Sequence, residues 1–353
     1  MIYIIDLEPV ETRYTAQWKE HVPALFKKEG YNVQVISGPL DIPSATTPGA
    51  FLNFGGTNVY KSNQVEQLGR LFCSGAIKSG DHFLFTDAWH PGIINLKYMS
   101  ELLEIPITIH ALWHAGSYDP QDFLGRLIGD APWVRYAEKS FFSAIDHNYF
   151  ATEFHIDLFL DQLMGTDPED GRTRYKNKII RSGWPMEYMP STLAPWAGMK
   201  KRNLILFPHR IAPEKQVDIF RDLAKQLPKY EFVICQEKQL TKDQYHALLG
   251  EAKMVFSANL QETLGISWYE GALVGAIPLV PDRLSYSEMA LDTFKYPSAW
   301  TQSFKAYEQH KRKLVDLIEY LVENHEIHLQ KIQKQVEVLN GKFFSADGLL
   351  NQF

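Results

Sequence analysis

The chain has 353 residues, of which 45% are hydrophobic and 22% charged, a composition that suits two domains of ordinary size, each with its own core. A formal net charge of -6 excludes a uniformly basic nucleic-acid coat. The two cysteines, Cys73 and Cys235, are far apart, so no disulfide framework is expected and a reducing, cytoplasmic setting is implied. No apolar run approaches the roughly 20 residues needed to span a bilayer. The opening Met1-Ile-Tyr-Ile-Ile-Asp6 reads as a buried strand, without the basic start and cleavage site of a signal peptide. A soluble protein with no membrane partner is expected.

Strands and helices then alternate, the sign of parallel sheets with crossover helices. Strand Ile2–Asp6 leads to the loop Glu8-Pro-Val-Glu11-Thr-Arg13, a helical stretch at Tyr14–Lys28 and, past Gly30, a strand at Asn32–Ile36. Gly55 and Gly56 stand before an expected helix start, where a backbone can approach a ligand closely or simply turn. Strand His82–Thr86, loop Asp87–Gly92, helix Ile93–Leu103 and strand Ile107–Leu112 follow. Helix Val134–Ala144, a strand at Asn148–Ala151, helix His155–Leu163 and strand Lys178–Ser182 close the first half. Gly183, Pro185, Pro190, Pro195 and Gly198 mark a linker. The expected domains are residues 1–190 and 191–353, both doubly wound and Rossmann-like, facing a central cleft. Such a pattern also allows a nucleotide-sugar epimerase or a ligand-binding protein.

The second half carries the sharper motifs. Strand Asn203–Phe207 runs into Pro208-His209-Arg210-Ile-Ala-Pro-Glu-Lys215, which sets a basic residue at each end of a turn. Strand Lys253–Ala258 precedes Glu262, and Glu270 follows with seven residues between them, on a helix read as Leu264–Val274. The amides of Thr263, Leu264 and Gly265 form a helix start able to bind an anion. One carboxylate can hold sugar hydroxyls while the other holds a ribose diol. No Asp-x-Asp motif and no Cys/His cluster at ligand spacing occurs, so neither a metal nor another cofactor is expected.

These residues resemble the double-glutamate motif of retaining glycosyltransferases with the two-domain GT-B fold, family 4 in particular. This chain has Pro208-His209 where that family has a small residue and a glycine, and Glu8–Arg13 where many members have a glycine-rich loop. The resemblance implies a nucleotide-sugar donor held by Arg210 and Lys215 at the diphosphate, Glu262 at the sugar and Glu270 at the ribose. It implies front-face transfer assisted by the leaving phosphate. It also implies that the last helix of the helical segment Thr301–Leu339 crosses back to the first domain; the segment itself reads equally as a surface element of the second.

The acceptor is expected at the first domain. Asp87, Trp89 and His90 follow one strand, and Trp113, His114 and Tyr118 follow the next, where an open sheet exposes its chemistry. With Gly55, Gly56 and Thr57 they form the candidate acceptor site, in which Asp87, His90 and His114 are candidate catalytic residues alongside Glu262. The stretches Ala45–Asn58, Phe85–Gly92 and Leu112–Gly125 are similar to glycosyltransferases encoded by large tailed bacteriophages. That resemblance implies glucose or arabinose transfer, in the host cytoplasm, to 5-hydroxymethylcytosine in double-stranded DNA. The acid-free run Arg172, Arg174, Lys176, Lys178 and Arg181, with Lys200-Lys201-Arg202, can track phosphates or form solvated surface. Trp89, Trp113 or Tyr118 can stack on a flipped base. A polysaccharide or lipid-linked acceptor is the alternative.

Overall fold

Ile2–Ile5 (β1) is an unbroken run of buried apolar side chains, as a strand must be when helices cover both faces of a parallel sheet. In the computed structural model, which describes residues 1–10, 14–42 and 52–353, β1 lies between Val33–Ile36 (β2) and His82–Phe85 (β3). Thr108–Trp113 (β4), His147–Phe150 (β5) and Ile179–Arg181 (β6) complete a six-stranded sheet ordered β2-β1-β3-β4-β5-β6. Every pairing is parallel. From β1 the chain goes out to β2 and returns to β3 on the other side. The reversal creates a switch point between β1 and β3, where open α/β sheets bind ligands outside the strand ends. Asp6 and Thr86-Asp87 follow those two ends.

A second parallel sheet repeats the plan. Arg202–Phe207 (β7), Glu231–Ile234 (β8), Ala252–Phe256 (β9), Ile277–Asp282 (β10) and Lys295–Pro297 (β11) are ordered β11-β10-β9-β7-β8. Its switch point lies between β7 and β9. The chain divides into two compact units, Met1–Pro185 with Ala346–Phe353, and Met186–Ser345. Each has an apolar core on its own sheet, around Phe83, Phe85, Trp113 and Phe150 in the first and Ile205, Phe207, Phe256 and Leu279 in the second. The alternating elements predicted from sequence thus form two doubly wound α/β units.

Two local readings need correction. Gly55 and Gly56 lie inside the first turn of the helix Phe54–Cys73, because Asn53 caps it: Asn53 Oδ1 accepts the Gly56 amide at 2.8 Å. The stretch read as linker contains a helix, Met189–Ala197. Pro190 stands in its first turn, where the missing amide hydrogen leaves no bond unmade. The helical segment expected at Thr301–Leu339 is helical, as the two helices Phe304–Glu323 and His325–Lys342.

Candidate functional site

The carboxyl ends of β7 and β9 bring together residues far apart in sequence. After Phe207 the chain turns through His209 and Arg210 into a single helical turn at Pro213–Lys215. The Arg210 guanidinium lies 2.5 Å from Glu214, whose side chain is fully buried. Lys215 Nζ donates to the Gln261 carbonyl at 2.6 Å and stands 3.4 Å from Glu262 Oε2. The other oxygen of Glu262 accepts the Gly265 amide at 3.0 Å. Burial pushes the Glu262 carboxyl up, but Lys215, His209 and the Leu264 amide outweigh it and hold the group below the usual carboxylate range. The helix start expected to receive a phosphate is therefore occupied by Glu262 itself. Gly265 has φ +80°, and a Cβ there would stand 2.3 Å from Trp268 Nε1, so glycine alone fits the turn. Thr263 and the buried Leu264 complete it.

Glu270 lies on the helix Ile266–Leu273, and its Oε2 accepts the Tyr245 hydroxyl at 2.7 Å. Burial pushes its carboxyl up to about 7, against the opposing pull of Tyr245 and Lys242. Two further residues hold the loop that carries Glu262. Arg283 donates to the carbonyls of Asn259 at 2.6 Å and Ala258 at 2.7 Å, and Gln216 Nε2 reaches Ala258 and Thr301 at 2.6 and 2.7 Å. Buried carbonyls without such donors would be costly. Sequence reasoning misses both residues because their partners are backbone atoms, which no motif specifies.

In the first unit Asp87 is tied down from two sides. Lys61 Nζ donates to Asp87 Oδ2 at 2.8 Å and to the Trp89 carbonyl at 2.6 Å, while Asp87 Oδ1 accepts the Trp89 amide at 3.0 Å. Burial works against ionisation of Asp87, yet Lys61 and His114 hold its carboxyl well below the carboxylate range. His90 Nδ1 accepts the Gly92 amide at 2.9 Å, leaving Nε2 to donate to Gln64 Oε1 at 3.0 Å. Burial, then Lys61, brings His90 down to about 3, so its imidazole is neutral. Gln64 in turn donates to Asp6 and to the Ile36 carbonyl. His114 Nε2 donates to the Thr86 carbonyl at 2.6 Å, and Tyr14 donates to Nδ1 at 2.5 Å. Both ring nitrogens of each histidine are therefore engaged.

The remaining acceptor candidates separate by exposure. Trp89 is half-buried, with Nε1 on the buried Glu138 at 2.9 Å. Thr57 is buried and its hydroxyl has no partner among the described residues. Trp113 and Tyr118 belong to the core: Trp113 donates to Asn148 and packs on Phe150 and Phe159, and Tyr118 meets His155 at 2.6 Å and the Phe159 edge. Neither presents a ring face to a ligand. The basic run is also altered by tertiary structure. Arg172 pairs with Glu153 and Asp157, Arg181 with Glu153, and Arg202 with Glu231 and Glu251. Glu11, Arg13 and residues 45–51 of the Ala45–Asn58 stretch lie outside the described residues. No helix among the described residues is long and apolar enough to cross a membrane, and none of their His, Cys, Asp and Glu side chains form a group that could hold a metal ion.

Two doubly wound parallel units with these connections constitute the GT-B fold of glycosyltransferases. Among solved structures, sucrose-phosphate synthase from Thermosynechococcus elongatus matches with a TM-score of 0.58 at 11% identity, over 99% of this chain and 96% of that one. HepE from Anabaena, in complex with UDP and glucose, matches with a TM-score of 0.57 at 12% identity, over 99% and 97%. The pneumococcal O-GlcNAc transferase GtfA, in complex with UDP and GlcNAc, matches with a TM-score of 0.51 at 12% identity, over 83% of this chain and 58% of that one. The chain thus spans 58% of GtfA and 62% of TarM. No protein-family model and no curated protein sequence matches the chain.

Proposed function

We propose that this protein is a metal-independent glycosyltransferase that moves glucose or arabinose from a UDP-sugar, with retention, to the hydroxymethyl group of 5-hydroxymethylcytosine in double-stranded DNA. The observation that carries the donor half is the meeting of Lys215 with Glu262 beside the Arg210 turn. A leaving diphosphate gains negative charge as the sugar carbon becomes cationic, and Arg210 and Lys215 offset that charge. Glu262 takes the sugar hydroxyls and Glu270 the ribose. The leaving phosphate oxygen accepts the acceptor's proton as the new glycosidic bond forms on the same face. Fold relatives solved with UDP support a UDP-linked donor.

The acceptor half rests on the likeness to the phage enzymes, and it gains support from convergence. The helix that follows Asn53 supplies Lys61 and Gln64 to Asp87 and His90, at the switch point of the first sheet. A glycan acceptor is the second reading, favoured by the ion pairs that neutralise Arg172 and Arg202. The test incubates the protein with UDP-glucose or UDP-arabinose and duplex DNA, followed by mass spectrometry of the nucleosides. The expected result is a sugar on hydroxymethylcytosine and none on cytosine, binding that weakens steeply with salt, and activity that survives excess chelator. Donor hydrolysis without marked DNA would move the acceptor to a glycan. Isomerisation of the donor alone would make the protein an epimerase, and activity lost to chelator but restored by magnesium or manganese would overturn metal independence.

A further inference from the structure

Glu270 is gripped from a different element. Its Oε2 lies 2.7 Å from the hydroxyl of Tyr245 on the helix Lys242–Glu251, and Oε1 has no hydrogen-bond partner among the described residues. The Tyr245 helix has a firm start, because Thr241 and Gln244 close a reciprocal capping box at its N-terminus. Tyr245, in its first turn, is thereby presented in one place. Burial and the Glu270 charge push the Tyr245 hydroxyl well above its ordinary value, so it remains a proton donor. The other groups facing Glu270 are Lys242 from the same helix and Cys235 at the end of β8, whose thiol burial and Glu270 push up to about 12. The helices Met189–Ala197 and His325–Lys342 also pack on Ile266–Leu273. There Glu187 and Asn340 face Tyr269 instead.

We propose that Tyr245 is a positioning residue of the donor site: its hydroxyl holds one oxygen of Glu270 so that the other, as an ionised acceptor, takes the hydroxyls of a ribose diol. The inference rests on the reading of Glu270 as the ribose ligand. A carboxyl group enclosed by protein tends toward its neutral form, and here the tyrosine hydrogen bond opposes that tendency. Without it the Glu270 carboxyl would stay neutral to higher pH and be free to turn. It would then be a poorer acceptor for two adjacent hydroxyls.

Calorimetric titration of UDP and 2′-deoxy-UDP into the full chain from pH 6 to 9 tests this, using Tyr245→Phe, Glu270→Gln and the double variant. Tyr245→Phe keeps the ring and its packing. It is expected to bind UDP about tenfold more weakly at pH 7, as for loss of one hydrogen bond to a charged group, and to recover toward the wild-type affinity at pH 9. Its preference for UDP over 2′-deoxy-UDP should shrink at pH 7. Glu270→Gln should bind weakly across the range, and adding Tyr245→Phe to it should cost nothing more. An equal loss at every pH and for both ligands would reduce Tyr245 to a packing role and overturn the proposal. If Glu270→Gln loses the ribose preference while Tyr245→Phe keeps wild-type affinity and midpoint, the positioning proposal falls and the ribose reading stands. If Glu270→Gln itself binds both ligands like the wild type, the ribose reading falls with it.

Discussion

Removing the Arg210 guanidinium should have two separable consequences. Arg210→Ala is expected to weaken UDP binding by more than about 1 kcal/mol, the size of one charge-assisted contact. It should also lower stability, because the buried Glu214 loses its ion pair with Arg210 at 2.5 Å, and breaking a buried ion pair from one side is destabilising. Arg210→Ala combined with Glu214→Gln should therefore recover the urea midpoint without recovering affinity. Undiminished UDP binding in calorimetry would remove Arg210 from the diphosphate site. The places of Lys215, Glu262 and Glu270 were legible in the sequence, because spacing around strand ends and helix starts fixes where each one sits. Glu214, Tyr245 and Arg283 were not, since each acquires its partner from a different element or from backbone carbonyls. Trp113 and Tyr118 stand next to loop-like residues in sequence, yet both turn into the core. Gly116 shows why: a Cβ there would lie 2.1 Å from the Tyr118 ring, so the loop folds tightly over its own tyrosine.

The turn from β9 into the helix Ile266–Leu273 joins local backbone geometry to the candidate site. Gly265→Ala places a methyl group against Trp268 and Tyr286 in a left-handed conformation, which should cost on the order of 1–3 kcal/mol or more. The same change shifts the amide that Glu262 accepts, so UDP-sugar turnover should fall along with the urea midpoint. A Gly265→Ala protein with wild-type stability would show that the turn relaxes without strain. Strands read from apolar runs agree with the structure to within a residue or two, as at His82–Phe85 and Thr108–Trp113, because a strand covered on both faces must be continuously apolar. Proline and glycine were weaker guides. Pro190 and Pro195 suggested a linker, but one stands in the first turn of the helix Met189–Ala197 and the other near its end. Short β11, with the pattern Lys295-Tyr-Pro297, has too few residues to show any period.

Met1 and Phe353 both lie in the first unit, where the closing segment rests on a cluster of three histidines. His82 Nδ1 and His110 Nε2 are 3.0 Å apart, His110 Nδ1 meets the Tyr149 hydroxyl at 2.7 Å, and His147 and Phe353 stack on the His110 ring at 4.8 and 4.0 Å. One proton fits between the facing nitrogens of His82 and His110, and a second would set two donors against each other. Burial first, and repulsion within the cluster second, pushes His110 well below its ordinary value, and burial likewise lowers His82 and His147. The sign follows from linkage. A histidine whose folded value is depressed binds protons more readily when unfolded, so stability is intact above about pH 6.5 and declines as pH falls below it. For fully buried His110 the loss between pH 7.5 and 5.0 should reach at most about 2 kcal/mol. His82 and His147 are partly solvated and should add less. Urea midpoints at these two pH values should thus differ more for the wild type than for His110→Phe, which keeps an aromatic surface for Phe353 and cannot be protonated. Amide exchange in residues 346–353 should quicken at pH 5.0 in the wild type and less so in the variant. Equal acid sensitivity of both proteins would mean that other buried histidines, such as His90 and His155, both held near about 3, set the response and that the cluster under Phe353 does not.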